Sequence, residues 1–244
     1  MHSASVYLTS IGKLHIGASL GLVERQSLDM RLQEDAESYC QAAIVSFCDA
    51  LRGLSQGMYS WATVKLYYSA FYSLRARLAI SGVCLFYDGT RGRIVTTDAS
   101  SVVVAARSPS THKTVFARFR TQFPNDRFIS QTIGTIDSLD WLVQKREEAN
   151  YGQGRFSEPV APQHLLGPTS HDFHHWLAAY LTDDLYIHDE DHAMVALPFR
   201  LLLDLRSRLG NLGLAPLTAP EVLFIRSFLQ DANGPYQSAQ PLLS

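Results

Sequence analysis

The sequence predicts an all-α protein: an antiparallel helical bundle over residues 34–156, with a small β insertion near 83–106 and a helical C-terminal extension over 157–244. Three observations carry that expectation. Stretches 34–54 and 59–81 each repeat apolar side chains at three- and four-residue intervals, which places them on one stripe of a helix. A third stretch, 128–150, spaces Ile129, Ile133, Ile136, Leu139, Leu142 and Val143 in the same way. Residues 1–33 stand apart as an N-terminal segment in this reading.

The apolar run near the start, residues 4–23, is interrupted by Lys13, His15 and several hydroxyl side chains, so it lacks the unbroken length that a membrane span or signal peptide needs. A cytoplasmic protein that does not enter a membrane is expected. In 34–54 the stripe is Ala36, Tyr39, Cys40, Ala43, Ile44, Phe47, Leu51 and Leu54, with Gly53 and Gly57 bracketing its end. In 59–81 it is Trp61, Val64, Tyr67, Tyr68, Phe71, Leu74 and Leu78, with Gly82 as the stop. So short a joint makes the two helices pack antiparallel. Residues 83–87, 93–97 and 102–106 are short β-branched and aromatic runs, consistent with a hairpin or meander inserted into the bundle.

Beyond Ser108, Pro109 and Ser110, residues 112–123 carry Val115, Phe116, Phe119 and Phe123 on one helical face, and the 128–150 helix follows, ended by Tyr151 and Gly152. A linker with Pro159, Pro162, Gly167 and Pro168 separates this bundle from the extension. There Ser170 reads as the N-cap of a helix through Phe173, Trp176, Leu177, Tyr180, Leu181 and Leu185, and Pro198 as a first-turn proline for 199–209. Thr218 to Glu221 forms a capping-box pattern before Val222, Ile225, Phe228 and Leu229.

With 21 Lys and Arg against 23 Asp and Glu, the chain is close to neutral, which excludes nucleic-acid binding by bulk charge alone. The charge is unevenly placed, however. Between Arg75 and Arg127 nine basic residues face three acids, whereas residues 156–199 hold seven acids and no Lys or Arg. One basic surface for a polyanion, or two solvated faces that neutralise each other, would both follow from this division. Cys40, Cys48 and Cys84 have neither an even count nor CxxC spacing, so buried reduced thiols are expected.

Arg146 is the residue that stands out, because it lies three positions after Val143 and extends an apolar stripe. A guanidinium there needs a partner, since an unpaired buried charge is costly. Asn150 follows one turn later on the same face, and Tyr151 is next to it. Two readings are open at this level: Arg146 pairs with an acid such as Asp140, Glu147 or Glu148, or it awaits an anion.

The run from Trp61 through Lys65, Tyr67, Tyr68, Ala70, Phe71 and Leu74 to Ala76, closing at Gly82, resembles the second helix of HEPN domains. Downstream, Thr111-His112-Lys113, then Phe116, Phe119 and Phe123, and finally Arg146-Glu147-Glu148-Ala149-Asn150-Tyr151 are similar to the His-Lys, Phe and Arg-x-x-Ala-x-Tyr signals of one prokaryotic branch of that family. The order and spacing agree across roughly 36–152, about half the chain. The resemblance implies an antiparallel four- or five-helix bundle, often a homodimer or bound to a partner protein, working in toxin, antiphage defence or nucleotide-handling systems.

It further implies that catalytic relatives are metal-independent endoribonucleases. Their Arg and His, in an Arg-x4-6-His motif, meet across a dimer, with His moving protons at the ribose 2′-OH and Arg holding phosphate. Here Tyr151 stands where that His would be, and a phenol with a pKa of about 10 is a poor general base at neutral pH. The candidate catalytic residues are therefore Arg146, Tyr151 and His112, and the candidate RNA- or nucleotide-binding residues are Arg146, Asn150, Lys113 and Arg107. Arg107 and His112 also satisfy Arg-x4-His formally, although Pro109 sets that pair at a loop-to-helix junction. A non-catalytic helical subunit of a larger complex is the alternative.

His171, His174, His175, His188 and His192 cluster in the extension, but HxxHH beside HDEDH is not an established ligand pattern, and neither a metal nor another cofactor is expected. The absence of P-loop, GxGxxG, GxSxG and HExxH patterns leaves nucleotide hydrolysis, dinucleotide redox chemistry and the common hydrolases unsupported.

Overall fold

The computed structural model describes residues 2–108, 110–152, 156–169, 173–231 and 234–243. It is mostly helical, with three small sheets among the described residues. Helix α1 (Ser3–Ser10) lies on the long helix α2 (Leu22–Ser55), which turns through Gly57, at φ +73°, into α3 (Tyr59–Ile80). The whole predicted stripe of α2 is buried. The helix starts twelve residues before position 34 because Leu28 and Leu32 continue that stripe, and Gly53 lies within its last turn rather than beyond it. Buried Asp35 ties α1 down by accepting the Ser3 and Ala4 backbone N–H groups at 2.6 and 3.1 Å.

After Gly82, at φ +77°, strands β1 (Val83–Asp88) and β2 (Arg91–Thr96) form an antiparallel hairpin, and the two-residue β3 (Val104–Ala105) pairs with β2. Cys84, Phe86, Val95 and Val103 point into the same core as the helices. Helix α4 (Thr111–Gln122) packs Val115, Phe116 and Phe119 inward.

The expected helix over 128–150 is much shorter. A hairpin of β4 (Thr132–Ile133) and β5 (Ile136–Asp137) turns at Gly134, φ +59°, and only then does α5 (Ser138–Glu147) begin. The side chain of Asp137 caps it, accepting from the Leu139 and Asp140 N–H groups at 3.0 and 3.2 Å. Turn and cap chemistry at Gly134 and Asp137 overrides the isoleucine periodicity. A π-helical turn, Glu148–Gly152, then closes α5.

The rest comprises α6 (Leu166–Thr169), α7 (Phe173–Thr182), α8 (Ala193–Asn211), α9 (Ala219–Arg226) and the short pair β6 (Gln230–Asp231) and β7 (Gly234–Pro235). Ser170 and His171 lie outside the described residues. Leu185 belongs to a separate 3-10 turn, Asp184–His188, rather than to α7. Pro198 is inside α8, not at its start, because the buried run Ala193 to Leu197 extends the helix backwards. The Thr218 and Glu221 capping box forms as expected, with Glu221 accepting from both Thr218 N–H and Oγ1 at 2.7 Å. Helix α8 inserts against α2 and α3, where the Phe47 and Phe199 rings stack 5.2 Å apart. Among the described residues no helix is long and apolar enough to cross a membrane.

His164, in the 3-10 turn Gln163–Leu165, is buried between α3 and α5, its Nε2 3.0 Å from Thr63 Oγ1 and its ring 6.4 Å from Trp141. Burial first, and then the Lys145 charge, push its pKa from the ordinary 6.5 to about 4. The unfolded chain takes up this proton as pH falls through 6.5, while the fold refuses it until about 4. The contribution of neutral His164 is therefore full above pH 6.5 and is lost toward pH 4, by about 3 kcal/mol in all. Urea unfolding at neutral and acidic pH should show wild type losing more stability on acidification than His164→Gln. Equal losses would contradict the assignment.

Candidate functional site

Three helices converge at Tyr67. Position 67 lies on the face of α3 that also carries Ser60, Thr63, Phe71 and Leu74, so its ring is buried beneath α4 and α5. His112, in the first turn of α4, places Nδ1 2.8 Å from the Tyr67 hydroxyl. Its ring lies 4.2 Å from that of Phe71 and 5.7 Å from that of Tyr68. From α5, the Arg146 guanidinium sits 5.0 Å from the centre of the Tyr67 ring, a cation–π contact. The structure thus joins Arg146 and His112, which are 34 positions apart in sequence, through one phenol.

The electrostatics of this cluster are those of a cation short of a counter-ion. The Arg146 side chain is only 17% exposed, and its nearest carboxylate oxygen, on exposed Glu147, is 3.5 Å away. Its Nε is buried and, among the described residues, has no hydrogen-bond partner. The other acids that the sequence offered are engaged elsewhere: Glu148 with Lys145 at 3.0 Å and Asp140 with Arg120 at 3.0 Å. Burial, with the charges of Arg146 and Arg75, holds the His112 imidazole below its ordinary pKa. Burial also pushes the Tyr67 phenol up to about 12, although Arg146 opposes it. At neutral pH the phenol is therefore protonated and the imidazole neutral. When the hydroxyl donates to Nδ1, His112 Nε2 carries the ring proton; with the donation reversed, Nε2 is a free base.

Of the other predicted residues, Lys113 and Arg107 are exposed at and just before the first turn of α4, beside His112 in sequence, and Pro109 between them lies outside the described residues. Asn150 is half-buried within the π-helical turn. Tyr151 does not join the site. It is 79% exposed and lines a shallow surface depression with Asp140, Gln144 and Glu147, and among the described residues no hydrogen bond or ring contact links it to Arg146 or His112.

Sequence reasoning missed Tyr67 as the hub. The signal was its i, i+4 relation to Phe71 and to Thr63, which puts all three on one face. Four of the aromatic residues of α3 pack within the chain: Tyr67 and Phe71 are buried under α4, and Tyr68 and Tyr72 are half-buried beside them.

Four of the nine basic residues in the predicted stretch are paired with acids within the chain. Arg77 is buried with Asp126, Arg93 is buried near Asp88, Arg120 pairs with Asp137, and Arg127 pairs with Asp184. Arg91, Arg107 and Lys113 are exposed. In the extension, His192 Nδ1 meets the Tyr180 hydroxyl at 2.7 Å, His188 Nε2 meets the Arg127 carbonyl at 3.2 Å, and His174 stacks on Tyr236. Among the described residues no three His, Cys, Asp or Glu side chains converge as metal ligands would.

Compared with protein-family models, curated proteins and solved structures, the chain matches none.

Proposed function

We propose that the chain is a HEPN-like protein of a prokaryotic defence or toxin-type system, and that Arg146, Tyr67 and His112 form its contact with an RNA or nucleotide phosphate. The observation that carries this reading is the under-paired guanidinium of Arg146 held over Tyr67 beside a neutral imidazole. A phosphate oxygen supplies the counter-ion that Glu147 at 3.5 Å supplies poorly. Exposed Arg107 and Lys113 add flanking positive charge along the chain that leads into His112.

If the protein cleaves RNA, the geometry favours His112 as the proton-transferring group and Arg146 as the phosphate holder, in a metal-independent transesterification. The His112 imidazole takes the ribose 2′-OH proton as the O2′–P bond forms, and the P–O5′ bond breaks with the 5′ oxygen taking a proton from water, which leaves a 2′,3′-cyclic phosphate and a 5′-hydroxyl. Tyr151, exposed and away from both residues, has no part in it. Two copies of the chain, or a partner protein, complete the reading that the resemblance suggested, and a non-catalytic interaction subunit is its alternative.

The test is incubation of purified protein with total RNA in a chelating, metal-free buffer, comparing wild type with Arg146→Ala, His112→Ala and Tyr151→Phe. RNA retention that falls about tenfold or more in Arg146→Ala is the expected result, in line with the loss of a charged hydrogen bond. Cleavage that disappears in Arg146→Ala and His112→Ala but survives in Tyr151→Phe assigns the enzyme. Retention without cleavage assigns the binding module. Folded protein that neither binds nor cleaves RNA or nucleotides leaves the interaction subunit.

A further inference from the structure

On a different face of α5 from Arg146 lies a cavity of about 270 Å³ that the phosphate cluster does not use. Ser60 and Thr63 of α3 form one wall, a turn before Tyr67, while Lys145 and Glu148 of α5 form another and buried His164 closes it. A smaller chamber of about 130 Å³ shares Lys145, His164 and Gln163 with it.

The walls are rich in hydrogen-bonding groups but close to neutral. Lys145 Nζ is balanced by Glu148 at 3.0 Å, and the His164 imidazole is uncharged at neutral pH. The Ser60 hydroxyl donates to Glu158 Oε2 at 2.8 Å, which sets a further carboxylate beside the cavity. At the mouth stands Phe156, 59% exposed, with the Trp61 ring 6.1 Å away and 47% exposed. These are two large aromatic surfaces left in water beside a cavity whose walls mix polar and apolar groups, on a chain whose other described aromatic side chains mostly pack inward.

We propose that this cavity binds a neutral planar heterocycle carrying both donors and acceptors, the chemistry of a nucleobase, with its face on Phe156 and its edge against Thr63, Lys145 and Glu148. Each element selects for that chemistry. An exposed aromatic ring stacks on any planar π-face and loses hydrated surface in doing so. A bare anion is disfavoured, because the one ammonium is already balanced and a second carboxylate is close. A purely apolar ligand is disfavoured too, because it would bury Lys145 and Glu148 without replacing their water. The site is independent of the phosphate reading, and its test requires no RNA.

The experiment is calorimetric titration of the full chain with adenosine, guanosine, cytidine and uridine, with ribose and inorganic phosphate as controls. At least one nucleoside should bind, and ribose and phosphate should not. Phe156→Ala, at an exposed position that threatens the fold little, should weaken binding about tenfold by removing the stack. Glu148→Gln should weaken it as well. The proposal is overturned if no nucleoside binds at concentrations up to about 1 mM. It is equally overturned if phosphate or ribose binds as well as the nucleosides, or if affinity is the same in wild type, Phe156→Ala and Glu148→Gln.

Discussion

Replacing Arg77 by Ala should destabilise the protein by about 3–5 kcal/mol, the usual result of breaking a buried ion pair from one side. Arg77 is 2% exposed, in the last turns of α3. Its Nη2 lies 2.5 Å from Asp126, its Nε lies 3.5 Å from Asp204 of α8, and the rings of Phe119, Phe123 and Phe128 surround the guanidinium within 5.8 Å. Removing it strands the buried Asp126 carboxylate, while Asp204 keeps Arg208 at 2.7 Å, and opens a void among three aromatic rings. Thermal unfolding should drop by about 6–20 °C for a chain of this length. Arg77→Lys should fall between wild type and Arg77→Ala, because it keeps the charge and loses the planar fork. Adding Asp126→Asn to Arg77→Ala should recover part of the loss. A loss under about 1 kcal/mol would place Arg77 among ordinary surface ion pairs.

A chain ended at residue 156 should not fold cooperatively. The face of α3 that carries Arg77 packs on α8, whose Leu201, Leu202, Leu205 and Leu209 are fully buried. Phe199 stacks face to face on Phe47 of α2, the two planes 7° apart. Truncation exposes that apolar face and removes Asp204 from Arg77, a larger loss than the 3–5 kcal/mol of a single aromatic deletion. The expected behaviour of the truncated chain is reduced helicity, dye binding to exposed apolar surface and a broad unfolding transition. A sharp transition with a native-like circular dichroism spectrum would instead show that residues 2–156 stand alone.

The sequence made the α2–α3 hairpin legible because long amphipathic stripes dominate local choice: every predicted stripe residue of α2 is buried, and on α3 only Trp61 is truly exposed. The 128–150 stretch misled because isoleucines at helical spacing also fit a hairpin and a cap, and Gly134 and Asp137 decide between them. Arg146 was legible as a charge set into an apolar stripe. Arg77, three residues after Leu74, carries the same mark on α3, but no motif sets it apart from the other basic residues of the stretch. The meeting of Arg146 with His112 was not legible at all, since it depends on how α4 and α5 cross α3, and side-chain periodicity within a helix holds no information about that crossing. Tyr151 was a candidate because it stands where the resembled motif has His, and a position in a motif does not say whether the side chain turns to solvent, as Tyr151 does.

The claim that Arg146 is a phosphate ligand is tested most directly by the salt dependence of binding to a short single-stranded RNA, measured for wild type, Arg146→Ala and Arg146→Lys. Each phosphate neutralised by a cation releases counter-ions and steepens the fall of log K with log salt by about 0.7 for a single strand. Wild type and Arg146→Lys should share a slope, and Arg146→Ala should be shallower by about one phosphate's worth and bind more weakly at every salt concentration. A folded Arg146→Ala protein with the affinity and slope of wild type would contradict the account.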